Sequence, residues 1–403
     1  MKRIKSKLEF SVLLETLTFS AVNFAVNIFV ARNYSTEEYA QFLQFQVLIA
    51  FAAVISRSFF QEPLAILDRQ RGYNIHDLIS LLFLQSLSIT LPLSIGIFAI
   101  SFIGPVSSTT SLGFIFYSWS FASIILLRRY YVTKGSARNL LSLQAGYLVA
   151  TFICLYMISS LGFFGGLKGF YFFTAIFYFS LITFMLMPQR LRSTRASSIT
   201  GRKLYEDNFS KGLPLFISNM SPWMIDAGFV FFLSLHSQEV LVQYRTALLL
   251  YQPVTLLFGV VGIIALRSFT SSVDAPNFSR LCQYYIACAI FSLIFIFVAK
   301  LGSEAALSYI FDDRITFDQE MFLLAAVVCA SGLTSISAVY LKSLKSPKTL
   351  NFLTIMTLAV GFVTVLLLIN NEFSHVYLIR ALSASAIFFI SAVAIGMAHW
   401  KPL

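Results

Sequence analysis

Long apolar runs constrain the fold of this chain more than any other feature of its sequence. Roughly twelve of them reach the length of about 20 residues that a helix needs to cross a hydrocarbon core of about 30 Å. Only helices or closed barrels satisfy every backbone polar group in lipid, and barrel strands alternate over about ten residues instead of staying apolar for twenty. The sequence therefore predicts an all-α polytopic membrane protein. The predicted spans are residues 10–31, 41–66, 78–103, 111–127, 140–162, 169–188, 212–235, 240–266, 281–301, 320–341, 350–370 and 376–398.

The charge distribution predicts the orientation of these spans. Hydrophobic residues make up 58% of the chain and charged residues only 12%, which excludes an ordinary soluble domain. The net charge is +11, and most basic residues precede the first span or follow the even-numbered spans. The opposite loops carry only Arg32, Lys168, Lys300 and Arg314. The positive-inside rule then places both termini in the cytoplasm, and the basicity reports topology, with no nucleic-acid partner expected.

A polar, basic connection at residues 189–212 divides the spans six and six. It predicts an N-terminal six-helix lobe at 1–190, a cytoplasmic linker at 191–211 and a C-terminal six-helix lobe at 212–403. The segment 33–42 matches 235–244 at four positions, and each follows the first span of its half. With six spans in each half, the repeat is parallel, about an axis along the membrane normal.

Three segments carry a resemblance to a known family. They are VNFAVNIFVARNYSTEEYAQF within the first 65 residues, RRYYVTKGSARN at 128–139 and KGLPLFISNMSP at 211–222. The chain resembles the Wzx-type polysaccharide and O-antigen flippases of the multidrug/oligosaccharidyl-lipid/polysaccharide (MOP) exporter superfamily.

The resemblance implies two six-helix lobes around a central cavity, in a MATE-like arrangement. It also implies that the chain moves an undecaprenyl-diphosphate-linked glycan, such as an O-antigen or capsule unit, from the cytoplasmic to the outer leaflet of the inner membrane. The expected partners are then the lipid-linked oligosaccharide, membrane lipids and, further, the glycan polymerase and chain-length proteins of lipopolysaccharide biosynthesis.

Span seven has an unusual polar face. Asn219, Trp223 and Asp226 are spaced at i, i+4 and i+7, and Pro222 removes a backbone hydrogen bond among them. A carboxylate inside a bilayer costs several kcal/mol, about 3 or more, unless it has a partner or a task. Asp226 is therefore either an ion-coupling residue or the buried partner of an arginine such as Arg245.

Arginine and glutamine pairs in other spans predict an anion-binding cavity. Arg57 and Gln61 are four apart in span two, and Arg245 and Gln252 are seven apart in span eight. Arginine binds diphosphate oxygens through paired donors, so two guanidinium groups at different depths suit an anionic cargo. Arg380 in span twelve is a further candidate. For Arg57 and Arg380 the alternative is that the side chain extends to the membrane surface.

Span one has a polar stripe that includes Asn23 and Asn27, which we expect to line the cavity. Glu15 lies about 100° from this stripe, from the helical rotation per residue, and is a second candidate for ion coupling. The other members of the stripe are Glu9, Thr16 and Ser20.

Three other functions fit parts of the sequence. A MATE-like, cation-coupled drug antiporter shares the architecture, although its cavity is expected to be acidic. A major-facilitator transporter is suggested by ILDRQRGYN at 66–74, whose spacing departs from that family's loop. A membrane-embedded glycan polymerase or acyltransferase would need acid and base groups, and the outer loop 300–320 offers only Asp312, Asp313 and Asp318 for that role.

No metal site, cofactor or catalytic residue is predicted. The four cysteines fall inside predicted spans, where a thiol behaves as a small apolar group, and the four histidines are scattered. We therefore expect a transporter and not an enzyme.

Overall fold

A computed structural model gives the fold of residues 2–64, 75–102, 106–161, 166–192, 201–223, 278–311 and 319–343, together with the short stretches 241–242, 245–246, 248–255 and 257–258 and single positions at 261, 265, 359, 386 and 390. Nine long α-helices lie in this part of the chain. They are α1 (Lys2–Asn33), α2 (Thr36–Ser56), α3 (Ile75–Ser101), α4 (Ser108–Thr133), α5 (Ala137–Leu161), α6 (Leu167–Arg192), α7 (Gly201–Trp223), α8 (Phe278–Phe311) and α9 (Gln319–Ser343).

Six helical segments among the described residues are long and apolar enough to cross a membrane. They are Thr36–Leu64, Ile75–Ser101, Ser108–Thr133, Ala137–Ser160, Leu167–Met187 and Ser279–Ser303. Each coincides with a predicted span and begins a few residues before it. The all-α, multi-pass membrane class is confirmed. The total of twelve spans stays a prediction, because spans eleven and twelve lie almost wholly outside the described residues.

The helix α7 begins earlier than the sequence predicts. Residues 201–211 belong to its first three turns, although the sequence assigns them to the linker. This stretch is polar and basic, and a helix tolerates such residues as readily as a loop does, so composition alone did not locate the helix start. The predicted division into two six-helix lobes remains a prediction.

Contacts divide the chain into two compact units, residues 1–241 and 242–403. In the first unit α4 packs against α6, α1 against α5, and α7 against α2. Its core is unusually aromatic: the rings of Phe45 and Phe114 stack with centroids 4.3 Å apart, and Tyr171 contacts both. In lipid, such close side-chain packing replaces the hydrophobic effect as the force between helices. In the second unit α8 packs against α9, with Leu281 and Ile336 in the buried cluster.

Glu38 joins two helices at one end of the first unit. Its backbone N–H is capped by the Ser35 hydroxyl, and its carboxylate accepts from the backbone N–H of Ser35 at 3.4 Å, which completes a capping box on α2. The same carboxylate accepts from the backbone N–H of Leu167, at the start of α6, at 3.3 Å. One side chain therefore supplies hydrogen-bond acceptors to the free N–H groups of two helices.

Beyond Ser56, α2 continues into a π-helical turn at Arg57–Gln61, which is called the π-turn below. The backbone N–H of Glu62 donates to the carbonyl of Arg57, five residues earlier. A π-turn of this kind is rare, and such turns occur frequently at functional sites. It is the feature that positions the candidate site.

Candidate functional site

The π-turn pairs side chains that are five residues apart. Arg57 Nε lies 2.8 Å from Glu62 Oε1, and Gln61 Nε2 donates to Ser56 Oγ at 2.8 Å. In an α-helix, residues five apart point about 140° away from each other, from the helical rotation of about 100° per residue. The wider ring of the π-turn brings them onto one side. Both pairs therefore depend on the same backbone irregularity.

The helix α3 contributes a buried amide to this site. The Ser56 hydroxyl donates to Gln85 Oε1 at 3.1 Å, and both residues are fully buried. Ser56 Oγ thus accepts from Gln61 and donates to Gln85, which uses the hydroxyl in both senses. These two hydrogen bonds fix the start of the π-turn against α3, since an unpaired hydroxyl at this depth would carry a desolvation cost.

The helix α7 closes the other side of the π-turn. Asn219 Nδ2 donates to Ser58 Oγ at 3.0 Å and lies 3.5 Å from Glu62 Oε2. The ring of Phe59 packs between Phe209 and Phe216, with centroid distances of 5.5 and 5.4 Å. These contacts place an amide of α7 beside the only carboxylate that the described part of the π-turn site contains.

Glycine lets α7 come this close. A Cβ added at Gly212 would lie 2.9 Å from the Cα of Phe59 and 3.0 Å from the carbonyl oxygen of Ser58. A side chain at position 212 would therefore meet the backbone of the π-turn as well as the ring of Phe59. Small residues at such crossings are typical of helices that pack closely in membranes.

The charge of the site is positive among the described residues. Arg57 is 60% exposed, whereas its partner Glu62 is only 21% exposed. Arg129, on α4, lies within electrostatic range of both. Two guanidinium groups thus accompany one carboxylate, with the amide of Asn219 as a further hydrogen-bond donor. Such a group of donors can bind an anion such as phosphate or diphosphate.

A cavity of about 360 Å³ lies next to the π-turn, inside the first unit. It opens between the helix that contains the π-turn, α3 and α7, and most of its walls are apolar side chains. The lining residues are Phe51, Ile55, Phe59, Phe60, Ser88, Pro92, Asn208, Phe209 and Phe216.

The structure brings together three of the predicted binding residues. Arg57, Gln61 and Asn219 all belong to the π-turn site, but the two predicted partners in span two do not act as a pair. Gln61 bonds to Ser56, whereas Arg57 bonds to Glu62. The spacing of four residues that suggested a shared face assumes an α-helix, and the π-turn breaks that assumption.

Asn23 and Asn27 make contacts within the helix bundle. Asn23 Oδ1 accepts from the Tyr147 hydroxyl at 3.2 Å, and Asn27 Nδ2 donates to the backbone carbonyl of Asn23 at 2.7 Å. Both side chains are half-buried. The side-chain amide of Asn23 therefore stabilises the packing of α1 against α5. A role for Asn23 and Asn27 in lining a cavity stays a prediction.

The remaining candidates lie in the second unit or outside the described side chains. Arg245 is half-buried, and its Nε has no hydrogen-bond partner among the described residues. Gln252 is also half-buried, and its backbone carbonyl accepts from Thr255. Asp226 and Arg380 lie outside the described residues, as does the side chain of Glu15. The predicted pairing of Asp226 with Arg245 therefore stays a prediction.

Sequence reasoning missed Glu62, Gln85 and Arg129. Glu62 sits five residues after Arg57, a spacing that helical periodicity excludes, and Arg129 counted only as a loop charge. The sequence did contain a signal for Glu62, because an acidic residue at the end of an apolar span needs a partner. No group of three or more His, Cys, Asp or Glu side chains that could hold a metal ion occurs in the described part of the chain.

Neither a protein-family model nor a curated protein matches this chain. Solved structures do share its fold. The MATE multidrug transporter DinF-BH, solved as a complex, matches with a TM-score of 0.64 and 17% identity over 99% of this chain and 96% of its own. The lipid II flippase MurJ, in an inward closed conformation, matches with a TM-score of 0.63 and 14% identity over 97% of this chain and 87% of its own.

A MOP superfamily transporter from Pyrococcus furiosus matches with a TM-score of 0.59 and 16% identity, over 100% of this chain and 97% of its own. It is described as having a binding pocket of reverse polarity that suggests a different function. These likenesses establish that the chain has the fold of MOP superfamily transporters. The fold alone does not distinguish a drug exporter from a lipid-linked flippase, so the function must be inferred from the site.

Proposed function

We propose that this protein is a transporter that flips an undecaprenyl-diphosphate-linked oligosaccharide from the cytoplasmic to the outer leaflet of the inner membrane. The observation that carries the proposal is the positive charge of the π-turn site, where Arg57 and Arg129 accompany the single carboxylate of Glu62 among the described residues. A diphosphate carries negative charge that such a site neutralises, whereas a cationic drug would be repelled by it.

The position of the site along the helix supports the same cargo. In the proposed topology, with both termini in the cytoplasm, the π-turn lies at the cytoplasmic end of span two, and Arg129 lies at the cytoplasmic end of span four. A lipid-linked glycan is made in the cytoplasmic leaflet, so its diphosphate would first meet the protein at this depth. Alternating access between two states would then carry the glycan across.

Purified protein in liposomes tests the proposal directly. The probe is undecaprenyl diphosphate linked to a fluorescent N-acetylglucosamine, and dithionite added outside bleaches only the probe in the outer leaflet. We expect wild-type protein to make nearly all of the probe accessible to dithionite, because flipping brings the probe of the inner leaflet to the outer one. Arg57→Gln should slow the exchange about tenfold or more, because a charged hydrogen bond contributes about 1.5–3 kcal/mol, and Arg57→Lys should restore part of it.

Arg280→Gln is the matched control, because Arg280 is exposed at the start of α8. It should flip the probe at the wild-type rate. Normal exchange by Arg57→Gln would remove the anion-binding role of the π-turn site, and absence of exchange by the wild-type protein would refute the proposed activity.

A MATE-like drug antiporter is the second candidate, since MATE transporters are among the solved structures that share the fold. It predicts that a cationic dye binds the protein and competes with protons or sodium ions. The two functions predict ligands of opposite charge, an anionic diphosphate for the flippase and a cationic drug for the antiporter. A membrane enzyme is less consistent with the comparisons, because the structural neighbours are transporters and flippases.

Ion coupling remains part of the proposal. Asp226 or Glu15 would bind a proton or sodium ion in one state and release it in the other, so that the emptied cationic site resets toward the cytoplasm. The polymerase and chain-length proteins would receive the glycan at the outer face.

A further inference from the structure

The cavity beside the π-turn has the chemistry of a site for a hydrocarbon chain. Five of its nine lining residues are phenylalanines, and two more are Ile55 and Pro92. Its polar members are Ser88 and Asn208. The Ser88 hydroxyl already donates to the backbone carbonyl of Leu84 in its own helix at 2.8 Å. No charged residue is among the described residues that line this cavity, so a charged ligand group would find no partner inside it.

The cavity and the anion site share the same short segment of chain. Phe59 and Phe60 of the π-turn line the cavity, while Arg57 at the start of the same turn carries the exposed guanidinium. On α7, Phe216 faces the cavity and Asn219, one turn later, bonds to Ser58 and Glu62. An occupant that satisfies both parts must be apolar at one end and anionic at the other.

We infer that this cavity binds the diphosphate-proximal isoprene units of a polyprenyl carrier lipid while its diphosphate contacts Arg57. The inference rests on the proposed function and deepens it, because it assigns a place to the lipid part of the cargo. An apolar cavity of about 150 Å³ accepts a benzene-sized molecule, so this one has room for roughly two five-carbon units. The methyl-branched, unsaturated prenyl chain suits a wall of phenyl rings better than a straight acyl chain does.

Binding measurements on the full-length protein in detergent test this inference. The probes are undecaprenyl diphosphate, which has both parts, and inorganic pyrophosphate, which has only the anionic part. Ser88→Leu enlarges the side chain at the cavity wall, and the hydroxyl that it removes bonds within its own helix. We expect it to weaken binding of undecaprenyl diphosphate roughly tenfold or more, since the excluded carbons lose their burial. Binding of pyrophosphate should stay unchanged.

Ser94→Leu is the matched control, because Ser94 lies on the same helix and is exposed. It should bind both probes as the wild-type protein does. Phe216→Trp fills the cavity from α7 and serves as the second variant, with the same expected loss. Unchanged pyrophosphate affinity in either variant shows that the site is folded.

Three results would overturn the inference. The first is wild-type affinity of both filled variants for undecaprenyl diphosphate, and the second is that the wild-type protein binds undecaprenyl diphosphate and pyrophosphate equally tightly. The third compares two monophosphate lipids that differ in their chains, and it is binding of dioleoyl phosphatidic acid as tight as that of undecaprenyl phosphate. The last result would mean that the cavity takes any lipid chain. These measurements contain no transport step, so a failure of flipping in liposomes refutes the proposed activity and leaves the binding comparison standing.

Discussion

Removing the carboxylate of Glu62 should make the π-turn site bind anions more tightly. Glu62→Gln keeps the shape of the side chain and leaves an acceptor for Asn219, but it removes the ion pair with Arg57 at 2.8 Å. Because Arg57 is 60% exposed, the pair is screened by solvent and contributes about 0.2–1 kcal/mol. An incoming diphosphate must break this pair before it can contact Arg57 fully. The variant should therefore bind pyrophosphate up to about fivefold more tightly, the equivalent of about 1 kcal/mol.

Calorimetric titration of pyrophosphate into the purified variant measures this change, at low and at high salt. The gain should shrink at high salt, because ions screen exposed charges. The melting temperature should fall by no more than about 4 °C, as expected for a loss of about 1 kcal/mol in a unit of this size. Glu37→Gln makes the same chemical change at the exposed start of α2 and should alter neither quantity. Weaker or unchanged pyrophosphate binding by Glu62→Gln would show that Glu62 does not compete with the anion for Arg57.

Three further predictions concern packing, capping and coupling. Gly212→Ala should cost about 1–3 kcal/mol of unfolding free energy, because the new Cβ meets the backbone of the π-turn, whereas Gly302→Ala, with open space around it, should be neutral or stabilising in a thermal melt. Glu38→Ala should cost about 1–2 kcal/mol because two helices lose a cap, and an equal effect of Glu37→Ala in the same melt would contradict this. Asp226→Asn should bind the lipid-linked probe normally but flip it slowly and with a weaker dependence on the ion gradient; a normal rate and dependence would leave Asp226 a structural partner and make Glu15 the next candidate.

Much of the fold follows from hydropathy alone. The six apolar helical segments coincide with predicted spans because lipid forces every such run to satisfy its backbone internally, which leaves the helix as the only local solution. Helix ends are predicted less well. The first three turns of α7 carry Lys203 and Glu206 and contain no long apolar run, so the sequence assigns them to the linker.

The site was predicted only in part, for a reason that concerns backbone geometry. Asn219 and Arg57 were identified because polar residues in apolar spans demand partners. Their actual partners, Ser58 and Glu62, were not identified, since a regular α-helical period was assumed through span two. The position of a π-turn depends on what packs around it, here Gln85 of α3 and the close approach of α7, and neither contact is encoded locally.

The π-turn also has a consequence for the register of span two. A turn that spans five residues where an α-helix spans four is equivalent to one residue inserted into a regular helix. Deleting that residue would restore the regular period and leave the residues after it on their present faces, whereas straightening the turn without a deletion would rotate everything after it by about 100°. In the straightened helix of unchanged length, Glu62 would face about 140° away from Arg57. Between two transporters of this fold, a one-residue gap in span two would therefore mark a relative whose helix is regular at this point, with its later residues on the same faces.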